Sequence, residues 1–112
     1  MSSRNDTQRL QDMLDAIAMI ERDVYGFDEA QFIRDGKTCR SVLYSFSVIG
    51  EAAANLSQVT QAKSPSIPWT EIKGMRNYII HEYFRVNLDV VWEAIFNDLP
   101  RLKQAIESIL DR

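Results

Sequence analysis

The sequence predicts an all-α protein, an up-and-down bundle of four main helices plus a short fifth. Three observations carry this. Apolar residues recur at three- and four-residue spacing through each long segment. No segment shows the sustained apolar–polar alternation of a strand. No Asn-Gly hairpin signal separates the segments. With 112 residues the chain reads as a single domain, 1–112, with enough length to bury a core.

The first helix is expected to begin after Asp6 or Thr7, either of which can cap it. Leu10, Met13, Leu14, Ile17, Ile20 and Val24 then line one buried face, and Gly26 ends it. Asp28 caps a short second helix around Phe32 and Ile33, which Gly36 closes. Thr38 is the expected cap of the third helix, whose stripe is Val42, Leu43, Phe46, Ile49, Ala53 and Leu56. Gly50 inside that helix costs about 1 kcal/mol against alanine, so it marks a close approach of another element. Glu51 lies near the edge of the apolar face, either exposed or partnering a partly buried arginine. Residues 57–68 form the main connector. Its Ser64-Pro65-Ser66-Ile67-Pro68 run cannot stay helical, and Pro68 suits the start of the next helix. That helix buries Trp69, Ile72, Met75 and Ile79. Asn87 caps a last long helix running from Leu88 to Leu110, which Pro100 should kink or interrupt.

Composition narrows the function. Apolar residues are 46% and charged residues 26%, ordinary for a globular protein. A net charge of −3 argues against coating nucleic acid by bulk charge, so any such binding needs a local patch. Basic residues gather at Arg34, Lys37 and Arg40, and again at Lys73, Arg76 and Arg85. Most of them suit a solvated surface equally well. Cys39 is the single cysteine, which excludes an internal disulfide and fits a reducing cytoplasm. The polar start, Met1 to Asp6, has no signal-peptide core, and no apolar run approaches a membrane span.

The chemistry concentrates in Arg76-Asn77-Tyr78-Ile79-Ile80-His81-Glu82-Tyr83, which holds the only histidine. Arginine binds phosphate in fixed geometry, and histidine moves protons near neutral pH. At about 100° per residue, Asn77 and His81 share a face, while Arg76 and Tyr83 share another. His81 then lies about 140° from Arg76, so a straight helix does not aim both at one point. The arginine can curl around, the helix can end near Tyr83, or a two-fold dimer can bring one chain's arginine to the other's histidine. A lone helical histidine is also commonly a plain surface residue. The donors for a metal site, a glycine-rich phosphate loop and a nucleophile triad are all missing, so no metal and no cofactor is expected.

Arg76, four residues, His81, one residue and Tyr83 reproduce the R-x4-6-H-x-Y motif of HEPN domains. Ile49-Gly50-Glu51-Ala52, Ile67-Pro68-Trp69, Gly74-Met75-Arg76-Asn77, His81-Glu82-Tyr83-Phe84 and Val91-Trp92 on to Asp98-Leu99-Pro100 resemble the HepT-like subgroup, also called DUF86, over roughly residues 8–110. That resemblance implies an all-α fold and a homodimer with the motif at its cleft. It implies the toxin of a toxin–antitoxin pair, cleaving RNA without a metal. The implied antitoxin is an MNT-type nucleotidyltransferase that transfers AMP to Tyr83. Arg76, His81 and Asn77 would be the catalytic residues, with Glu51 as possible support. The rival readings are a non-catalytic module binding nucleotide or a partner protein through the same cleft, and a plain helical dimerisation protein.

Overall fold

The structure, a computed structural model, describes residues 4–111. Helices α1 (Asp6–Asp23), α2 (Glu29–Arg34), α3 (Gly36–Ala54), α4 (Gln58–Ala62), α5 (Trp69–His81), α6 (Leu88–Asn97) and α7 (Leu99–Leu110) follow in order, with a 3-10 turn at Tyr83–Arg85 before α6. No strand occurs among the described residues, and the all-α expectation holds. None of these helices is long and apolar enough to cross a membrane.

Helix α3 is the centre of the fold. It packs extensively on α1 and on α5, and α2 bridges it to α6. The predicted stripes of α1 and α3 are the core: Met13, Ile17 and Ile20 meet Val42, Phe46, Ile49 and Ala53 in one buried cluster with Val91, Leu102 and Ile106. Phe32 of α2 is fully buried against Trp92 of α6, their ring centroids 5.3 Å apart. Near Pro100 the last helix is interrupted as expected, with Asp98 separating α6 from α7.

Several boundaries differ from the sequence reading. The cap of α1 is Asn5, not Asp6 or Thr7. Its side chain accepts from the Gln8 amide at 2.8 Å, and the Gln8 side chain accepts from the Asn5 amide at 2.9 Å, a closed capping box. Asp6 is thereby freed for the connector, where it accepts from the hydroxyls of Ser57 and Thr60. The cap of α3 is Asp35, not Thr38, which instead supplies the amide that Asp35 accepts at 3.0 Å. Asp35 also ends α2, so Gly36 opens α3 rather than closing α2. Ser57 starts a short helix, α4, inside the expected connector. Trp69 then pins the connector to α5, its indole N–H shared between the carbonyls of Gln61 and Ser64, each at 3.1 Å. Gly26 takes φ +79° in the turn after α1, a region that favours glycine.

Candidate active site

Gly50 does what a mid-helix glycine suggests. A Cβ there would sit 2.9 Å from the Arg76 backbone nitrogen and 3.1 Å from the Ile72 carbonyl oxygen. Its absence lets α5 lie close on α3 at that point. The next residue along α3, Glu51, then reaches Arg76: its Oε1 is 2.9 Å from the arginine Nε. Both side chains remain open to solvent, 43% for Arg76 and 58% for Glu51. An exposed pair contributes little to stability, so its consequence is orientation. Holding Nε leaves the two terminal nitrogens, with four N–H donors, available for the fork geometry that fits phosphate. Glu51 is both exposed and paired, which joins the two readings the sequence left open.

Asn77 and His81 are exposed on α5, one turn apart on the face the spacing assigns them. His81 is the last helical residue. Glu82 turns away at φ −119°, ψ 24°, after its amide donates to the Tyr78 carbonyl at 2.9 Å. Tyr83 therefore lies in a 3-10 turn. This corrects the face it was expected to share with Arg76, because that geometry needed two more helical residues. It also removes the reason to bury it: Tyr83 is 41% exposed, and its ring meets Phe84 edge-on at 5.3 Å. Phe84 is 96% exposed. Tyr78 is partly spent inside the chain, since its hydroxyl accepts from the Asn87 amide at 3.1 Å and ties α5 to the cap of α6.

The structure thus brings Arg76 to Glu51 and sets Asn77, His81 and Tyr83 at the open end of α5. Among the described residues no side-chain hydrogen bond or ion pair joins Arg76, Asn77, His81 and Tyr83 to one another. Asn77 and His81 share a face as the spacing predicts, but no side-chain bond from Asn77 orients the imidazole. No group of three or more His, Cys, Asp or Glu side chains gathers among the described residues as a metal site would need. Cys39 is buried, donates to the Phe32 carbonyl at 3.0 Å, and has its thiol pushed up by burial and then by the Asp35 charge, which suits a packing role. A groove of about 690 Å³ opens elsewhere, between α5 and α7 over Phe46, Ile49, Met75 and Leu102. It has none of the motif residues in its walls, so concavity and chemistry part company in the single chain.

The sequence placed Lys73 in a basic gathering with Arg76 and Arg85 but attached no meaning to Gly74 beside it. The available signal was the cost of a second mid-helix glycine, in α5, with no packing reason attached.

Comparison with known proteins supplies the lineage. The family model described as "Ribonuclease HepT-like" matches residues 13–109. "Putative RNase TTE0752" of Caldanaerobacter subterraneus subsp. tengcongensis is 39% identical over 94 residues, covering 84% of this chain and 83% of its own length. "Probable ribonuclease HepT" of Thermococcus cleftensis is 34% identical over 106 residues, covering 95% and 96%. "Putative RNase MJ0127" of Methanocaldococcus jannaschii is 38% identical over 84 residues, covering 75% and 68%. No solved structure gives a significant match.

Proposed function

The chain belongs to the HepT-like ribonuclease family, and on that premise we propose that it is a metal-independent endoribonuclease, the toxin of a HEPN/MNT toxin–antitoxin pair. The observation that carries the mechanism is the Arg76 guanidinium, held at Nε by Glu51 with its terminal nitrogens open, on the helix that ends in His81. RNA brings its own nucleophile. His81 accepts the 2′-hydroxyl proton, the 2′-oxygen bonds to phosphorus, and the bond to the 5′-oxygen breaks as that oxygen takes a proton. Arg76 binds the phosphate and stabilises its added charge in the transition state. The charge a metal would supply comes from the arginine. Asn77, open on the same face as His81, hydrogen-bonds the phosphate. The products are a 2′,3′-cyclic phosphate and a 5′-hydroxyl.

One histidine per chain supplies one proton-transfer group where the reaction uses two. Arg76 reaches Glu51 on α3, while His81 is exposed about 140° around the helix from it. Both facts support a homodimer whose cleft combines the two motifs, with a light-scattering mass about twice 12.9 kDa. The proposed antitoxin is an MNT-type nucleotidyltransferase. The Tyr83 oxygen attacks the α-phosphorus of ATP, pyrophosphate leaves, and the tyrosine keeps AMP. The exposed position of Tyr83 supports this. Its added phosphodiester, near one negative charge, would occupy Arg76 and repel RNA.

The test is cleavage of RNA by purified protein in EDTA. Arg76→Ala and His81→Ala should each lower the rate about 100- to 10,000-fold with the melting temperature kept. Cutting abolished by EDTA, or normal cutting by both variants, overturns the mechanism. For the switch, incubation with the partner, ATP and magnesium should place adenylate on the Tyr83 peptide. A Tyr83→Phe chain that is still modified and silenced would refute it.

A further inference from the structure

Helix α5 carries a glycine that the folded chain does not use. A Cβ on Gly74 would meet nothing within 4 Å, in contrast to Gly50, where it would strike α5. Gly74 sits mid-helix and exposed, where glycine is among the poorest helix formers. Close approach by something outside this chain accounts for a glycine there. The neighbouring side chains give its chemistry. Counting about 100° per residue, Gly74 lies about 20° from His81 and about 60° from Asn77, on the outward face. Lys73 lies on the flank between Arg76 and Asn77, about 60° from one and 40° from the other. Of the three basic residues near the motif, Arg76 is paired with Glu51 and Arg85 with Glu82, while Lys73 joins no ion pair among the described residues. Lys73 is also only partly exposed, and its ammonium joins no carboxylate among the described residues.

We propose that Lys73 and the bare backbone at Gly74 form a second phosphate subsite, which seats the RNA phosphate next to the scissile one. The inference rests on the ribonuclease reading and extends its site along α5 toward the N-terminus. A single strand passing His81 and Asn77 reaches Gly74 within two helical turns. The missing side chain lets the sugar-phosphate backbone lie against the helix, and the lysine neutralises its charge. A second copy of this chain is the rival occupant. The uncompensated cation beside a polar and glycine surface favours the polyanion, since protein interfaces are depleted in lysine.

The experiment measures binding of a short single-stranded 2′-O-methyl RNA, which has no 2′-hydroxyl and cannot be cleaved, as a function of salt. Lys73→Gln should weaken binding about 3- to 10-fold and flatten the salt slope by roughly 0.7. On cleavable RNA, Lys73→Gln should raise KM more for an oligonucleotide than for a dinucleoside monophosphate, which has no second phosphate. Gly74→Ala should raise the melting temperature and yet weaken RNA binding. Unchanged affinity and slope in Lys73→Gln overturn the subsite, as does a Gly74→Ala chain that is stabilised and binds RNA normally. A lowered light-scattering mass in either variant assigns the face to a second copy and also overturns it. A wild-type chain that binds the uncleavable RNA but cuts none fails the ribonuclease reading alone. Normal cutting with Lys73→Gln indistinguishable from wild type fails this inference alone.

Discussion

Helices α1 and α5 both pack on α3, and they are secured in opposite ways. Helix α1 begins in a closed capping box at Asn5, buries five side chains and sends Asp6 to bind the connector. Helix α5 has no side-chain cap at either end, buries two side chains and carries an unneeded glycine. Every local choice in α1 agrees with its place in the core. In α5 the choices favour an open surface over stability, and that is where arginine, asparagine and histidine collect. Such conflicts between local preference and fold mark working sites. The helix is not loose as a result, because the Gly50 contact and the Trp69 hydrogen bonds fix it at two points.

The largest effect on that contrast should come from Gly50→Ala. The new Cβ would lie 2.9 Å from a backbone nitrogen, which cannot swing aside as a side chain can. Overpacking of this kind costs about 1–3 kcal/mol, whereas helix propensity alone would make the change stabilising. Chemical denaturation reads the sign directly. A stabilised Gly50→Ala chain would mean that α5 does not rest on α3 at this point. Since Glu51 holds Arg76 across the same contact, RNA cleavage should fall together with stability.

The stripes of α1 and α3, the break near Pro100 and the close approach at Gly50 were legible because each is a local pattern with one physical meaning. The caps were less so. Asn5, Asp6 and Thr7 are all good caps, and the choice is made by Gln8 returning to Asn5, a pairing visible only as a three-residue offset. Asp6 binds residues 51 and 54 positions away, which no window of sequence contains. Helix α4 has five residues, too few to show a period. At the site, the motif gave the residues but not their arrangement. The position of Tyr83 depended on where α5 stops, and helix ends are set by backbone geometry that side-chain spacing does not encode.

A smaller effect should come from Asp6, the residue that ties α1 to the connector. Hydrogen bonds from the Ser57 and Thr60 side chains hold its carboxyl below the usual range, against a counteracting desolvation. A depressed carboxyl contributes stability above its unfolded value, and the contribution is lost as pH falls through the lowered folded value. Asp6→Asn should therefore cost on the order of 1 kcal/mol at pH 7, a figure reduced for its partial exposure. The cost should shrink as pH falls below the ordinary carboxyl value of 3.8 and through the lowered folded one. A loss that does not change with pH would show that the charge on Asp6 plays no part.

The smallest effect, and the one of opposite sign, belongs to the junction of α2 and α6. Glu29 opens α2 and Asp89 lies in the first turn of α6, each placed where a helix N-terminus favours an acid. Glu29 is held above the usual range first by its hydrogen bond to Asp89, then by desolvation and the charges of Asp89 and Glu93. A raised carboxyl contributes stability while it keeps its proton, below its unfolded value, and that contribution is lost as pH rises through the folded value. Once Glu29 has lost its proton, the junction is left with the repulsion between it and the acids of α6. Glu29→Gln installs a permanent donor toward Asp89 and removes one charge. It should raise the melting temperature slightly at pH 7 and lose that advantage as pH falls below the ordinary carboxyl value of 4.5, where Glu29 keeps its own proton. Melting temperatures of Asp6→Asn and Glu29→Gln across this range should therefore run with opposite signs against wild type at neutral pH. A Glu29→Gln chain that melts lower than wild type at pH 7 would show that the first-turn charge on α2 outweighs the repulsion from α6.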